Sequence, residues 1–201
     1  MEFAHAVVLT GGIATGKSSV CSLLRLYGFQ IVDADKIAHQ VLDTQSAKIA
    51  DLFGGEYLTD GRVERKKLGS LIFSDKEARK RLEALLHPLI REEIIRQSSF
   101  CEQKGVPYIV DIPLFFETKH YEIEKAALVY ATHKQQLERL IKREGLSEEE
   151  ARRRIEAQMP IDRKRELATY IIDNTRNLKH LQKEVDRFVE YLKEGYHDLK
   201  I

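Results

Sequence analysis

A glycine-rich segment near the N-terminus carries the residue types that phosphate chemistry needs. It runs Gly11-Gly12-Ile13-Ala14-Thr15-Gly16-Lys17-Ser18-Ser19 and follows a short apolar stretch. Gly11 and Gly16 allow the backbone to turn tightly and approach a polyphosphate, so that amide N–H groups point at anionic oxygens. Lys17 supplies a positive charge for the β- and γ-phosphates, and the Ser18 hydroxyl suits a magnesium ion. The spacing therefore predicts a phosphate-binding loop rather than a glycine-rich turn that binds nothing.

Two acidic residues follow the second apolar stretch of the chain. Asp33 and Asp35 are two residues apart, so in an extended chain their side chains would share one face. An acid at the carboxyl edge of a parallel sheet can position an attacking hydroxyl and accept its proton, or it can hold the water shell of a metal ion. The alternative is that one or both acids cap a helix that begins near Lys36.

A third acid, Asp111, ends the apolar run Tyr108-Ile109-Val110. In phosphoryl-transfer enzymes, an acid at such a strand end reaches magnesium through water. We therefore expect Asp111 and Ser18 to serve a metal ion, with an ordinary turn at the end of a strand as the alternative for Asp111.

Two arginines lie one helical turn apart in a charged segment farther along the chain. Arg139 and Arg143 would point the same way and could neutralise charge on a migrating phosphoryl group from a segment that closes over the site. The alternative is an exposed basic helix paired with its own glutamates, Glu138 and Glu144. Arg163 is a further candidate, because it follows Pro160 outside the regular run.

The hydrophobic pattern predicts the elements that must position these residues. Short apolar runs predict strands, and apolar residues at helical spacing predict helices. The strands are expected at residues 4–10, 29–33, 106–112, 126–131 and 170–172, and helices at 16–27, 34–42 and 178–192. Strand, helix and strand within the first part of the chain predict a parallel pair with a crossover, and hence an α/β sheet.

Helical spacing dominates residues 46–103, with little strand signal except around Glu56-Tyr57-Leu58. We interpret this region as a helical insertion beside the sheet. It contains His87, which precedes Pro88 and could be structural or could contribute to substrate specificity. Residues 134–159 are charged and helical, and Ser147 followed by Glu150 predicts a capping box at which a new helix starts.

Composition limits the classes of function. The 201 residues contain 33 Lys plus Arg and 32 Asp plus Glu, so the chain lacks the global basic field that dominates DNA binding. Cys21 and Cys101 form no metal-type pair, and we expect them to be free thiols in a reducing compartment. No stretch approaches the roughly 18 apolar residues of a membrane span, and no basic leader is evident. A soluble, cytoplasmic protein is therefore expected.

Six stretches of the chain, in order, resemble the dephospho-coenzyme A kinase family: LTGGIATGKSSV, VDADKIAHQV, LLHPLIREE, VDIPLFFE, QLERLIKR and QMPIDRKRELATYIIDN. The first is shared by many nucleotide enzymes. DADKIAH, HPLI and DIPLFFE are specific, and their order covers nearly the full length. Members of this family use ATP to phosphorylate the ribose 3′-hydroxyl of dephospho-coenzyme A, which is the last step of coenzyme A biosynthesis.

The resemblance implies an α/β fold of the P-loop NTPase type, in which helices flank a parallel sheet. It implies a core of about 1–45 and 104–201, a helical substrate-binding insertion of about 46–103 and a helical lid of about 134–165. ATP and Mg²⁺ would be the cofactors, and dephospho-coenzyme A the partner, with neither nucleic acid nor membrane involved. Residues 8–18 would hold ATP, together with Ser19 and Arg143. Asp35 would be the base or orienting group with Asp33 beside it, Arg139 would contact the phosphates, and the substrate would meet Thr10, Asp35 and His87.

Three positions depart from the family pattern. Ala14 replaces a usual Gly, Ser19 a commoner Thr, and the segment Leu114-Phe115-Phe116 has an aromatic where a second leucine is usual. Neither Ala14 nor Ser19 removes a phosphate-contacting group, and the aromatic residue is expected to matter more for substrate fit than for the chemistry. The alternatives are a P-loop kinase of another nucleoside, nucleotide or small metabolite, and a nucleotide-binding regulatory module. An Asn-Lys-x-Asp motif is absent from the sequence, which argues against a GTPase, and the paired acids favour a kinase.

Overall fold

The computed structural model describes residues 3–118 and 120–195. Seven β-strands occur in this part of the chain: β1 (Ala6–Gly11), β2 (Ile31–Asp33), β3 (Leu58–Thr59), β4 (Arg62–Val63), β5 (Tyr108–Asp111), β6 (Ala126–Tyr130) and β7 (Tyr170–Asp173). The same residues form ten α-helices: α1 (Lys17–Leu26), α2 (Ala34–Thr44), α3 (Ser46–Phe53), α4 (Arg65–Ser74), α5 (Lys76–Lys104), α6 (Phe115–Thr118), α7 (His133–Glu144), α8 (Glu148–Glu156), α9 (Ile161–Leu167) and α10 (Leu178–Glu194).

Five strands form the main sheet in the order β2-β5-β1-β6-β7. β1 pairs in parallel with β5 and β6, and β6 pairs in parallel with β7. Every residue of β1 is buried, as expected for a strand covered on both faces. The α/β class predicted from the sequence is confirmed.

The expected pairing of the first two strands is wrong. β5 lies between β1 and β2, and the Ile109 N–H donates to the Gln30 carbonyl at 2.9 Å. The pattern of strand, helix and strand predicts a crossover within one sheet, but a crossover can pass over a position that a later strand fills. The neighbour of β1 is therefore decided by residues about a hundred positions away.

The strand predicted around residues 56–58 begins later in the chain, at Leu58, where it forms one arm of a hairpin. Gly55–Tyr57 forms a short 3₁₀ helix, and β3 pairs antiparallel with β4. The connecting residues Asp60 and Gly61 both have positive φ, 51° and 74°, as a two-residue type I′ turn requires.

The chain divides into two compact units, one formed by residues up to Val32 and from Ser98 onward, and the other by Asp33–Gln97. The first unit has its core between the sheet and helices α1 and α10, with buried residues that include Leu9, Val20, Leu24, Ile172 and Phe188. The second unit is mostly helical and packs around four buried residues, Ile49, Val63, Leu68 and Leu82. That the helical region binds the substrate stays a prediction.

The break between α7 and α8 follows the sequence prediction. α7 ends at Gly145, which is left-handed at φ 66°, and Ser147 caps α8 by accepting from the Glu150 N–H. The Glu150 side chain accepts in return from the Ser147 N–H, which confirms the capping box. Within the described residues, no helix combines the length and the apolar character needed to cross a bilayer.

Candidate active site

The glycine-rich segment connects β1 to α1 and leaves the N-terminus of that helix open to an anion. Gly16 is the N-cap residue and has a left-handed backbone, with φ of 93°. Because glycine has no side chain, no side-chain hydrogen bond caps the helix at this residue. The first turn of α1 contains no acidic residue. Its N–H groups and the helix dipole therefore favour an anionic ligand, as predicted for a phosphate loop. Ser18 and Ser19 are exposed at this end of the helix.

Two glutamines from outside the loop form hydrogen bonds with the backbone N–H and the backbone carbonyl of Ile13. The Ile13 N–H donates to Gln158 Oε1 at 2.8 Å, and Gln136 Nε2 donates to the Ile13 carbonyl at 2.7 Å. Within the loop, Thr15 Oγ1 donates to the Gly12 carbonyl at 2.9 Å. The loop is thus shaped by the protein itself, which lowers the ordering cost of binding a phosphate.

Ala14 adopts a left-handed backbone, with φ of 59°. This conformation costs an alanine about 1 kcal/mol relative to a glycine, so the departure noted from the sequence has a structural consequence. Its side chain and that of Ile13 pack against a cluster contributed by α7 and α8, called here the α7–α8 cluster: Leu137, Leu140, Ala151 and Ile155. These apolar contacts connect the loop to α7 and α8.

Lys17, Asp111 and Cys21 form a connected group beneath the loop. Lys17 Nζ makes an ion pair with Asp111 Oδ1, and Cys21 Sγ donates to Asp111 Oδ2 at 3.3 Å. Burial, together with the Asp111 charge, raises the pKa of the Cys21 thiol to about 12, so the thiol stays protonated and can remain a donor. Cys21 and Cys101 are both free and buried. A bound phosphate would compete with Asp111 for Lys17.

The oxygen donors at this point suit a magnesium ion. Asp111 lies at the carboxyl end of β5, and it contacts Lys17, the chain neighbour of Ser18. Carboxylate and hydroxyl oxygens are hard ligands of the kind magnesium prefers. The described residues contain no group of three His, Cys, Asp or Glu side chains that could hold a metal.

Asp33 and Asp35 do not have the geometry of an extended pair. Asp33 is the last residue of β2 and also the N-cap of α2, where its Oδ1 accepts from the Lys36 N–H at 2.9 Å. Because the helix begins at Ala34, Asp35 lies in the first helical turn and is exposed. An extended chain would have placed both carboxylates on one face, but the strand ends at Asp33, so this condition is not met. The capping alternative holds for Asp33.

The two arginines of α7 lie in different environments. Arg139 Nη2 donates to the Asn174 carbonyl at 2.8 Å, while its Nη1 is buried and has no hydrogen-bond partner among the described groups. Arg143 is largely exposed and pairs with Glu144 at 2.6 Å. Arg143 therefore agrees with the alternative of an exposed helix whose arginines pair with its own glutamates. Arg139 differs, because its Nη1 is a buried hydrogen-bond donor. Arg163 also lies at the surface, where it pairs with Glu166.

A fully buried lysine, Lys164 on α9, was not singled out by the sequence pattern. Its Nζ lies 2.7 Å from Glu117 Oε1 and donates to the Gly11 carbonyl at 3.2 Å. It also donates to the Pro113 carbonyl, which in addition accepts from the buried Thr10 hydroxyl at 3.0 Å. The end of β1 is thereby connected to the segment after β5. Lys164 stands between two arginines in the sequence, so only its burial distinguishes it.

The remaining candidate, His87, is partly buried in the middle of α5, next to Pro88. Its assignment to the substrate stays a prediction, as do the substrate roles of Thr10 and Asp35. The Thr10 hydroxyl is already engaged with Pro113, which indicates a positioning contribution to the loop.

Comparison with known proteins identifies the family. The family model described as dephospho-CoA kinase matches residues 5–180. This chain belongs to the dephospho-CoA kinase family. The dephospho-CoA kinase of Sulfurimonas denitrificans is 50% identical over 200 residues, which cover 100% of both chains. That of Wolinella succinogenes is 48% identical over 98% of this chain and 100% of the relative.

The fold agrees with this membership. A solved dephospho-CoA kinase from Campylobacter jejuni matches with a TM-score of 0.76 and 32% identity, and the match covers 95% of this chain and 98% of that chain. The resemblance found in the sequence, the fold of a P-loop kinase and the assignment to an enzyme class are confirmed.

Proposed function

We propose that this chain transfers the γ-phosphoryl group of ATP to the ribose 3′-hydroxyl of dephospho-coenzyme A and releases ADP and coenzyme A. The observation that carries the proposal is the preshaped phosphate loop in a chain of the dephospho-CoA kinase family. We extend the proposal to action in the cytoplasm on small molecules, without a nucleic-acid partner. The net charge of +1 and the two free thiols support this extension.

The donor half of the reaction is assigned to the first compact unit. The loop N–H groups and the N-terminus of α1 would bind the phosphates, and Lys17 would exchange its contact with Asp111 for a phosphate oxygen. The buried Arg139 Nη1 would donate to the migrating phosphoryl group. Fixed donors of this kind stabilise charge in the transition state without having to reorganise.

The acceptor half is assigned to Asp35. Its carboxylate would orient the 3′-hydroxyl and accept its proton as the hydroxyl oxygen forms a bond to the γ-phosphorus. The bond between that phosphorus and the oxygen bridging to the β-phosphate breaks, and ADP departs with the electron pair. Asp33 supports this arrangement because its cap determines where the helix that carries Asp35 begins.

Ser18 and Asp111 are the residues that would hold Mg²⁺, which when bound would neutralise charge on the phosphates. For the chain itself, Asp111 has a second role. By pairing with Lys17, it holds the lysine near the loop before a nucleotide binds.

The test is an ATP-consumption assay against dephospho-coenzyme A, nucleosides and nucleotides, with the product identified by mass. Dephospho-coenzyme A should be phosphorylated, and Lys17→Ala should lower kcat by about 10²-fold or more because it removes a charge that acts on the phosphates. Lys183→Ala, at an exposed position on α10, is the matched control and should behave as the wild type. Preference for another acceptor would favour a kinase of a different metabolite, and ATP binding without turnover on any acceptor would favour a regulatory module.

A further inference from the structure

Asn174, the residue after β7, links the sheet to the phosphate loop. Its backbone N–H donates to the Tyr130 carbonyl at the end of β6 at 2.8 Å, which continues the parallel pairing of β6 and β7. Its side-chain Nδ2 donates to the Thr15 carbonyl at 2.7 Å, and the residue is 8% exposed. A buried amide with its backbone anchored in this way has little freedom to move.

Gly16 provides the space that this contact requires. A Cβ atom built at Gly16 would lie 2.2 Å from Asn174 Nδ2, and the backbone there has a φ of 93°. Glycine at this position therefore serves the approach of the asparagine amide as well as the left-handed turn.

The backbone of the same asparagine also contacts the arginine assigned to phosphoryl transfer. Arg139 Nη2 donates to the Asn174 carbonyl at 2.8 Å, while Arg139 Nη1 is buried without a partner among the described groups. A donor buried in this way is costly unless an acceptor reaches it, and a phosphoryl oxygen is an acceptor of suitable charge. Asn174 thus contacts the loop through its side chain and the arginine through its carbonyl.

We propose that Asn174 is a positioning residue that holds the Arg139 guanidinium in register with the phosphate loop. The proposal rests on the proposed kinase function and deepens it by adding a residue to which no role had been assigned. Asn174 acts through Arg139 and Thr15. Loss of its amide frees the segment after β7 from the loop, so the arginine loses its alignment with the transferred group although its own hydrogen bond survives.

The test is a double-mutant cycle on the full chain with ATP and dephospho-coenzyme A. Asn174→Ala removes the amide contact with Thr15 but keeps the backbone groups that bind Tyr130 and Arg139. We expect kcat to fall by about tenfold, with a smaller change in the KM for ATP, because alignment in the transition state is lost. Arg139→Ala should slow transfer further, and the double variant should be no slower than Arg139→Ala alone.

The control is Asn177→Ala in the same segment. The Asn177 side chain caps α10 by accepting from the His180 N–H at 3.0 Å, so its loss should lower Tm and leave kcat unchanged. If Asn174→Ala does not fold, Asn174→Ser, which keeps a shorter polar side chain, enters the same cycle. Losses that multiply in the double variant, or a wild-type kcat for Asn174→Ala, would overturn the inference. A wild type that does not phosphorylate dephospho-coenzyme A would instead overturn the proposed function.

Discussion

Several side chains to which the proposed function gives a role are held by other groups of the protein. Lys17 pairs with Asp111, Asp33 caps α2, and Arg139 bonds to the carbonyl of Asn174. If Lys17 binds the phosphates as proposed, ATP must replace its contact with Asp111, and the affinity for ATP would be the difference between the new phosphate contacts and the lost ion pair. In the proposed mechanism, Asp111 would then become available to hold Mg²⁺.

Substitutions of the two acids at the start of α2 should differ in how strongly they slow phosphoryl transfer. Asp35→Asn keeps the shape and removes the proton-accepting charge, so we expect transfer to slow by about 10²- to 10⁴-fold while the Kd for ATP is unchanged. Asp33→Asn should slow transfer far less, because asparagine caps a helix as well as aspartate does. Product formation and ATP titration on both variants give the comparison. The opposite order would reverse the assignment within the pair, and normal turnover of both would exclude an acid-assisted mechanism.

At the scale of elements, α7, the segment after α8 and the phosphate loop are bonded to one another. Gln136 and Gln158 hold the backbone of Ile13, and the side chains of Ile13 and Ala14 pack against the α7–α8 cluster. A movement of α7 and α8 would therefore be transmitted to the loop. This connection gives a physical basis for expecting a lid in this region, a role that stays a prediction.

Gly12→Ala tests that connection. A Cβ at Gly12 would lie 2.4 Å from Gln136 Nε2, and the buried glutamine could move away only by giving up its bond to the Ile13 carbonyl. We expect the variant to lose about 1–3 kcal/mol of stability and to raise the KM for ATP. Gly69→Ala is the matched control, because its Cβ would meet open space within α4 and alanine favours a helix. Chemical denaturation and steady-state kinetics provide the measurements, and equal behaviour of the two variants would show that Gly12 is not constrained by Gln136.

At the scale of the whole molecule, positive and negative charges nearly balance. We therefore expect the pH dependence of stability to reflect specific contacts of charged groups more than the net charge. Glu102 lies at the end of α5, and its carboxylate accepts from the His5 N–H at 3.1 Å and from the Tyr108 hydroxyl at 2.8 Å. His5 Nδ1 is 3.0 Å from the second oxygen. These contacts join the segment before β1 to α5 and β5.

Glu102 should contribute to the acid sensitivity of the fold. Burial raises the pKa of Glu102, but the hydrogen bonds from His5 and Tyr108 outweigh it and hold the pKa below the ordinary value of 4.5. Because the folded pKa is the lower one, this stabilisation is present above the ordinary pKa and is lost as pH falls below it. Glu102→Gln should therefore reduce the decline in the free energy of unfolding between about pH 6 and about pH 3. The exposed Glu83→Gln is the control, and an unchanged slope in Glu102→Gln would contradict the prediction.

The sequence by itself determined the features that depend on a few neighbouring residues. The spacing from Gly11 to Ser18 specifies a turn and a helix start, and the capping box at Ser147 needs only a side chain and an N–H three residues apart. The α/β class follows from apolar runs and helical periodicity, which are likewise local.

Only the tertiary structure decided which distant residues meet. Lys17 and Asp111 are 94 positions apart, and the place of β5 beside β1 depends on packing of the whole sheet. A sequence pattern also cannot tell which of several neighbouring charges is buried, so Lys164 resembled its exposed neighbours until its carboxylate and carbonyl partners were visible. The sequence left open whether Asp33 and Asp35 lie in a strand or at a helix start, because the point at which a strand becomes a helix depends on free-energy differences too small for local propensity to decide.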